Sequence, residues 1–258
     1  QKKLVALSEK NLIEDPIRML RAFRFMAEMN FFIDKETMFW IDCHKKLISD
    51  AAPERIQVEL QRIVDAPFAD NVIQIIRKLD ILAPWQYKAS IDQVEGSFLK
   101  NATQLNFAER QSALPLARLT NLLSDDGLKQ LSFSKRQRIR CKKLRFWQEI
   151  INLSGLETLS EIDRLQLHKD LEQDLPALIL SLSSMEQTSW LSRWRDPDDV
   201  LFHPSDPIDG NFLQESLSVE AGPKLGALMR YLSQESAFGR LPNREEVLKS
   251  ASNWWEQN

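Results

Sequence analysis

An all-α fold is predicted for this chain by three observations: glycine is scarce, apolar residues recur at helical spacing, and capping residues stand where helices would begin. Seven glycines in 258 residues are too few for the Gly-rich phosphate loops of Rossmann and P-loop folds, or for the tight turns of β-rich ones. With 43% apolar residues the chain can bury a core, as one large domain or as two to three small ones.

The first predicted helix has Asp15 as its cap, Pro16 at its first position and no breaker from Ile17 to Asn30, the order that helix starts favour. A second is capped by Asp34 and runs to Leu47, with Phe39, Trp40 and Leu47 apolar. Ala52, Pro53 and Glu54 open a third, covering about Arg55–Val64. Asn71–Leu82 makes a fourth, with Ile73, Ile76, Leu79 and Leu82 on one stripe. Four short helices with short links imply a compact array. Pro84 to about Gly96 reads as a loop. Helices resume over Glu109–Ser124, Lys135–Leu153, Leu159–His168 and Pro176–Arg193. Arg195 to Asp199 breaks the pattern, and Pro204 and Pro207 make Phe202 to Asp209 a connector. Three last helices, Phe212–Leu217, Pro223–Ser233 and Arg244–Trp255, are punctuated by Gly222 and Gly239.

A net charge of −3 provides no global basic field, so any nucleic-acid surface must be local. Cys43 and Cys141 lie far apart, with no His at ligand spacing, which gives neither a disulfide framework nor a zinc site and points to a reducing compartment. No stretch of about 18 residues is free of charge, and no signal peptide is apparent, so a cytoplasmic protein with no membrane partner is expected. Because residue 1 is Gln rather than Met, further sequence is expected to precede it.

The first helix carries the most chemistry. Asp15, Arg18, Arg21 and Arg24 are three apart, so each is displaced about 60° from the last and together they form one slanted stripe. Met19, Leu20, Phe23, Met26 and Ala27 take the opposite face, and Ile17, Ala22, Phe25 and Met29 flank the arginines. A helix apolar nearly all round is normally buried, and buried guanidinium groups need an anionic or hydrogen-bonding partner. Spacing alone leaves two readings open. The arginines pair with carboxylates such as Glu28, Glu36 and Glu59, or they meet a ligand.

The run from Glu14 to Phe25 resembles the EDPxRxLRAxRF motif of class II tRNA nucleotidyltransferases and bacterial poly(A) polymerases, and Asn30 to Thr37 resembles the stretch that follows it. Pro53 to Leu60 resembles the family's ERIxxEL helix, which favours tRNA end-building over poly(A) synthesis. Gly222 to Gly226, Gly239 to Leu241 and Arg244 to Glu246 resemble the family's C-terminal pattern, more weakly. The resemblance implies an all-α neck, body and tail, set here at 1–83 (base recognition), 84–200 and 201–258 (tRNA binding). It also implies that CTP and ATP are substrates, tRNA is the partner, and Asp15 and Arg18 act as a template for the incoming base. Cytosine and adenine each present an amine donor beside a ring-nitrogen acceptor, which fits an Asp acceptor next to an Arg donor. Uracil and guanine reverse that order, and each bond lost in a buried site costs about 1–3 kcal/mol.

Arg21 and Arg24 would face the triphosphate or hold the pocket's shape. Glu14 would orient an arginine, and Arg55 with Glu59, four residues on, would bridge and brace the neck. Neither a GGxVRD-like glycine loop nor a DxD strand is present. The Mg²⁺-binding carboxylates of nucleotidyl transfer are therefore expected in a catalytic head outside this chain, which would select nucleotide without catalysing. Asp125–Asp126 and Asp196–Asp199 are read as solvated turns. Lys135, Arg136, Arg138, Lys142 and Lys143 form the most cationic run, an RNA-backbone candidate or a solvated helix face. Lys224, following Gly222 and Pro223, is a phosphate candidate at a helix start. His44, His168 and His203 are read as non-catalytic. A poly(A) polymerase C-terminal part and a head-less RNA-binding module remain the alternatives. Which of C, CC, A or CCA is added, and the oligomeric state, are not legible.

Overall fold

A computed structural model describes residues 2–88 and 98–258; most of the loop expected at Pro84–Gly96 lies outside the described residues. The fold is all-α. In chain order the elements are β1 (Lys3–Leu4), α1 (Glu9–Glu14), α2 (Ile17–Met29), β2 (Phe32–Ile33), α3 (Lys35–His44), α4 (Pro53–Asp65), α5 (Ala69–Lys78), α6 (Phe98–Asn101), α7 (Phe107–Leu122), α8 (Asp125–Gln130), α9 (Lys135–Ser154), α10 (Glu161–Leu171), α11 (Leu175–Ile179), α12 (Ser184–Trp194), α13 (Gly210–Leu217), α14 (Pro223–Ala237) and α15 (Arg244–Gln257). They divide into two compact units, Gln1–Glu149 with Pro176–Gln187, and Ile150–Leu175 with Thr188–Asn258.

In the first unit, α2 packs against α4 and α5, and α4 against α7. Ile17, Met19, Leu20, Phe23 and Ala27 of α2 and Ile56, Leu60, Ile63 and Val64 of α4 are fully enclosed, each large side chain contributing about 1.5–3 kcal/mol. A buried arginine locks this junction. Arg118 on α7 donates from Nε to Asp70 Oδ1 at 2.6 Å and from Nη1 to the carbonyls of Val64 and Ala66 at 2.8 and 3.1 Å. Those carbonyls close the end of α4, beyond its own ladder of hydrogen bonds, and that of Ala66 also accepts from the Ala69 N–H at 3.3 Å. In the second unit α13, α14 and α15 enclose Ile208, Leu213, Leu225, Leu228, Leu232, Val247 and Ala251.

Several local expectations are corrected. Asp15 does not cap α2. Ser8 caps a separate helix, α1, by accepting from the Asn11 N–H, and Asp15 ends that helix at φ −141°. The chain then turns through Pro16 into α2, with no side-chain cap bond. The helix from Asn71 stops at Lys78, and Asp80 adopts φ 52°, a left-handed conformation that prevents continuation to Leu82. Asp125 and Asp126 are exposed, as expected, but they are helical rather than loop-like. They form the first turn of α8, capped by Ser124, where carboxylates offset the helix dipole, and Asp125 pairs with Arg145. The span Pro176–Arg193 is two helices, because Ser183 and Glu186 build a capping box that restarts the chain at α12. The parallel pair of strands, with Lys3 opposite Phe32 and Leu4 opposite Ile33, has no sequence signature. Two residues are too few for alternation to show.

Candidate nucleotide-selecting site

The Asp15–Arg24 stripe emerges along α2 from buried to accessible. Arg24, the deepest, has its Nε 3.4 Å from Glu59 Oε2 and 3.8 Å from Glu28 Oε2, and its guanidinium lies over the Phe25 ring at 4.5 Å. Arg21 is partly exposed and donates from Nε to Glu59 Oε1 at 3.0 Å. Glu59 on α4 is therefore a buried carboxylate shared by two arginines. One turn earlier Arg55 reaches Asp15, its Nη2 standing 3.1 and 3.3 Å from the two carboxylate oxygens. Arg18 Nε lies 3.6 Å from Asp15 Oδ2, and Arg18 Nη1 donates to the Asn11 carbonyl at 2.9 Å.

The bridge expected between Arg55 and Glu59 is thus replaced by three longer-range ion pairs, Arg55 with Asp15 and Glu59 with Arg21 and Arg24. The i,i+4 spacing lines both groups up on the α2-facing side of α4, where the α2 charges are closer partners. Of the carboxylates expected to meet the stripe, Glu28 and Glu59 do so. Glu14, expected to orient an arginine, pairs with Lys10 at 3.6 Å on α1.

Beside the stripe is a pocket of about 270 Å³, lined by Leu4 to Leu7, Asn11, Leu12, Arg18, Arg21, Ala22, Phe25 and Thr37. Its outer wall is the chain after β1, held by the Ala6 N–H donating to Thr37 Oγ1 at 2.9 Å, while the Thr37 hydroxyl donates to Asp34. That bond, with those from the Thr37 and Glu36 amides, holds the Asp34 carboxyl below its ordinary range, against the opposing effect of desolvation. Sequence reasoning missed this wall, because nothing at positions 4 to 7 announces a contact with Thr37. Arg18 keeps donors beyond the one given to Asn11, and Asp15 keeps acceptor capacity beyond Arg55. An acceptor and a donor thus stand side by side, and the donor, Arg18, lines an apolar recess.

The cationic run on α9 is sorted by packing. Lys135, Arg136 and Lys142 are exposed, Lys143 and Arg138 half-buried. Arg138 has its Nε enclosed without a hydrogen-bond partner. Arg145 is withdrawn altogether: it pairs with Asp125, donates to the Thr120 and Leu123 carbonyls at 2.9 and 2.6 Å, and lies over the Tyr87 ring. Lys224 is turned to the end of α15, donating to the Trp255 carbonyl at 3.1 Å over that residue's ring. Among the described residues, no group of three His, Cys, Asp or Glu side chains is placed to hold a metal. No described helix is long and apolar enough to cross a membrane.

Residues 30–86 match the family described as "Probable RNA and SrmB- binding site of polymerase A". Along 97% of its length the chain is 26% identical to the CC-adding tRNA nucleotidyltransferase of Synechocystis sp., and along 94% it is 24% identical to the CCA-adding enzyme of Streptococcus uberis. The chain is thus similar to tRNA nucleotidyltransferases along nearly its whole length. It spans 66% and 60% of the length of those two relatives, and the portion matched is the C-terminal one. The fold is also that of solved tRNA nucleotidyltransferases. A CCA-adding enzyme in complex with CTP superposes with a TM-score of 0.73 at 15% identity, covering 99% of this chain and 63% of that one. The Thermotoga maritima CCA-adding enzyme complexed with tRNA gives 0.67 at 16% identity, covering 96% and 64%.

Proposed function

We propose that this chain is the nucleotide-selecting and tRNA-holding part of a cytoplasmic tRNA nucleotidyltransferase that adds C, A or both to the 3′ end from CTP and ATP. The observation that carries the reading is the partly accessible Asp15–Arg18 pair, its carboxylate fixed by Arg55 and its arginine lining an apolar recess. Asp15 accepts the exocyclic amine of cytosine or adenine and Arg18 donates to the adjacent ring nitrogen. Against uracil or guanine both groups meet the wrong partner. A recess of about 270 Å³ lies at the small end of ligand sites and suits a base rather than a whole nucleotide. Arg21, still partly exposed beside it, is the arginine placed for phosphate, and Arg24, enclosed between Glu59 and Glu28, holds the shape. The neck at 1–83, the body at 84–200 and the tail at 201–258 are the functional divisions of this reading. The transfer chemistry, with its Mg²⁺, belongs to carboxylates outside these residues.

Equilibrium titration of the chain with CTP, ATP, UTP and GTP tests the reading. CTP and ATP are expected to bind more tightly than UTP and GTP, and Asp15→Ala and Arg18→Ala each to abolish that preference. A preference that survives in either variant removes the template role. Incorporation of long A tracts from ATP by the whole protein, onto RNA ends other than that of tRNA, replaces it with the poly(A) polymerase alternative.

A further inference from the structure

The α9 run is one basic stretch in sequence and two different faces in the structure. Between Lys135 and Gln148 there are seven cations and no acid, yet Arg145 is enclosed by Asp125 and two carbonyls, and Arg138 is half-buried. Lys135, Arg136 and Lys142 stay exposed, and with them two apolar residues, Ile139 at 45% and Phe146 at 51%. At helical spacing Ile139 and Phe146 fall on the centre of the exposed face, with Lys135 and Lys142 to one side and Arg136 to the other. Phe146 is not loose. Its ring meets the buried Trp147 edge-on, with centroids 5.0 Å apart at 79°, so one aromatic face is presented on a rigid support. Glu149, the first acid along the helix, is turned to accept from the Tyr87 hydroxyl at 2.7 Å.

We propose that this face of α9 binds single-stranded RNA, Phe146 stacking on an unpaired base while Lys135, Arg136 and Lys142 neutralise the neighbouring phosphates. Cations flanking a fixed aromatic platform are what sequence-tolerant binding of a single strand requires. The opposite face of α9 is committed to the core through Cys141, Leu144 and Trp147, which leaves Ile139, Phe146 and, two turns further on, Leu153 exposed, a sparse row rather than the continuous apolar face that a lipid surface requires. The face lies outside residues 30–86, the part that matches an RNA-binding family. The proposal rests on the reading that RNA is this chain's partner, but not on Asp15 or Arg18.

Fluorescence anisotropy on the chain, with a labelled oligoribonucleotide of about ten nucleotides, tests it. Phe146→Leu keeps the apolar contact and loses the ring, and is expected to weaken binding on the order of tenfold, whereas Phe146→Trp restores it. Lys142→Ala is expected to reduce the slope of log K against log salt by about 0.7, one phosphate's worth. The proposal is overturned if Phe146→Leu binds within about twofold of the unaltered chain. It fails equally if RNA is not bound at all, or if phosphatidylglycerol vesicles bind and RNA does not. Titration with CTP and ATP is separate: loss of nucleotide preference with RNA binding intact sinks the template reading, and the converse sinks this one.

Discussion

The buried Arg118–Asp70 pair gives the sharpest stability test. Both side chains are enclosed, at 2% and 8% exposure, so each charge has exchanged water for its partners. Arg118→Met keeps the length and apolar bulk but removes the bond to Asp70 and those to the Val64 and Ala66 carbonyls. Two helix-end carbonyls then lose this donor, and a buried carboxylate loses its cation. Breaking one side of a buried pair costs about 3–5 kcal/mol. Arg118 Nη2 already lacks a hydrogen-bond partner, so the native pair is itself imperfect and the lower half of that range is expected. Removing both charges, in Arg118→Met with Asp70→Leu, is expected to destabilise by at least about 2 kcal/mol less than the two single changes summed. Urea denaturation followed by tryptophan fluorescence measures all three. Single changes below about 1 kcal/mol, or strict additivity, would falsify the view that this pair locks the junction of α4, α5 and α7.

Three further outcomes follow from other sites. Glu59→Gln removes the charge shared by Arg21 and Arg24 and is expected to cost about 2–4 kcal/mol in the same assay; a loss under 0.5 kcal/mol, roughly that of an ordinary surface change, would mean Glu28 alone suffices. His168 is enclosed between Trp190 and Phe202 with neither ring nitrogen bonded, and burial pushes its pKa down to about 3. The unfolded state therefore takes up a proton first as pH falls. Stability attributable to this residue is intact above about pH 6.5 and is lost at up to about 1.4 kcal/mol per unit towards pH 3. His168→Phe should be the more stable protein at pH 7, by about 1–3 kcal/mol, and increasingly so at pH 5; a variant less stable at pH 5 contradicts this. Gly127→Ala places a Cβ 2.3 Å from the Trp85 carbonyl oxygen, so thermal denaturation should show a loss of about 1–3 kcal/mol, where an unhindered helix would gain nearly 1 kcal/mol, roughly, from alanine. A raised melting temperature would show that the Trp85 turn yields.

Much of this protein follows from local chemistry. Scarce glycine, Pro16 before an unbroken run, and the cap Asp34 place helices without reference to partners, because a capping side chain acts within three residues. The same locality explains the misses. The start of α1 rests on Ser8 alone, and the capping box of Ser183 and Glu186 sits inside an otherwise helical pattern.

The Asp15–Arg24 stripe was visible as a stripe, since spacing fixes which side chains share a helix face. Its partners were not. That Arg55 takes Asp15 and Glu59 takes Arg21 and Arg24 depends on how α4 lies across α2, and the pocket depends on a strand end pinned by Thr37 some thirty residues away. The basic run on α9 likewise has one composition and two fates, since only packing decides that Arg145 is enclosed while Phe146 is left facing water. Sequence by itself determined most of the helices, their faces and their order, because those rest on short-range hydrogen bonds and periodicity. Tertiary structure alone decided which charges are spent on one another and which remain for a ligand, because that depends on desolvation across long-range contacts.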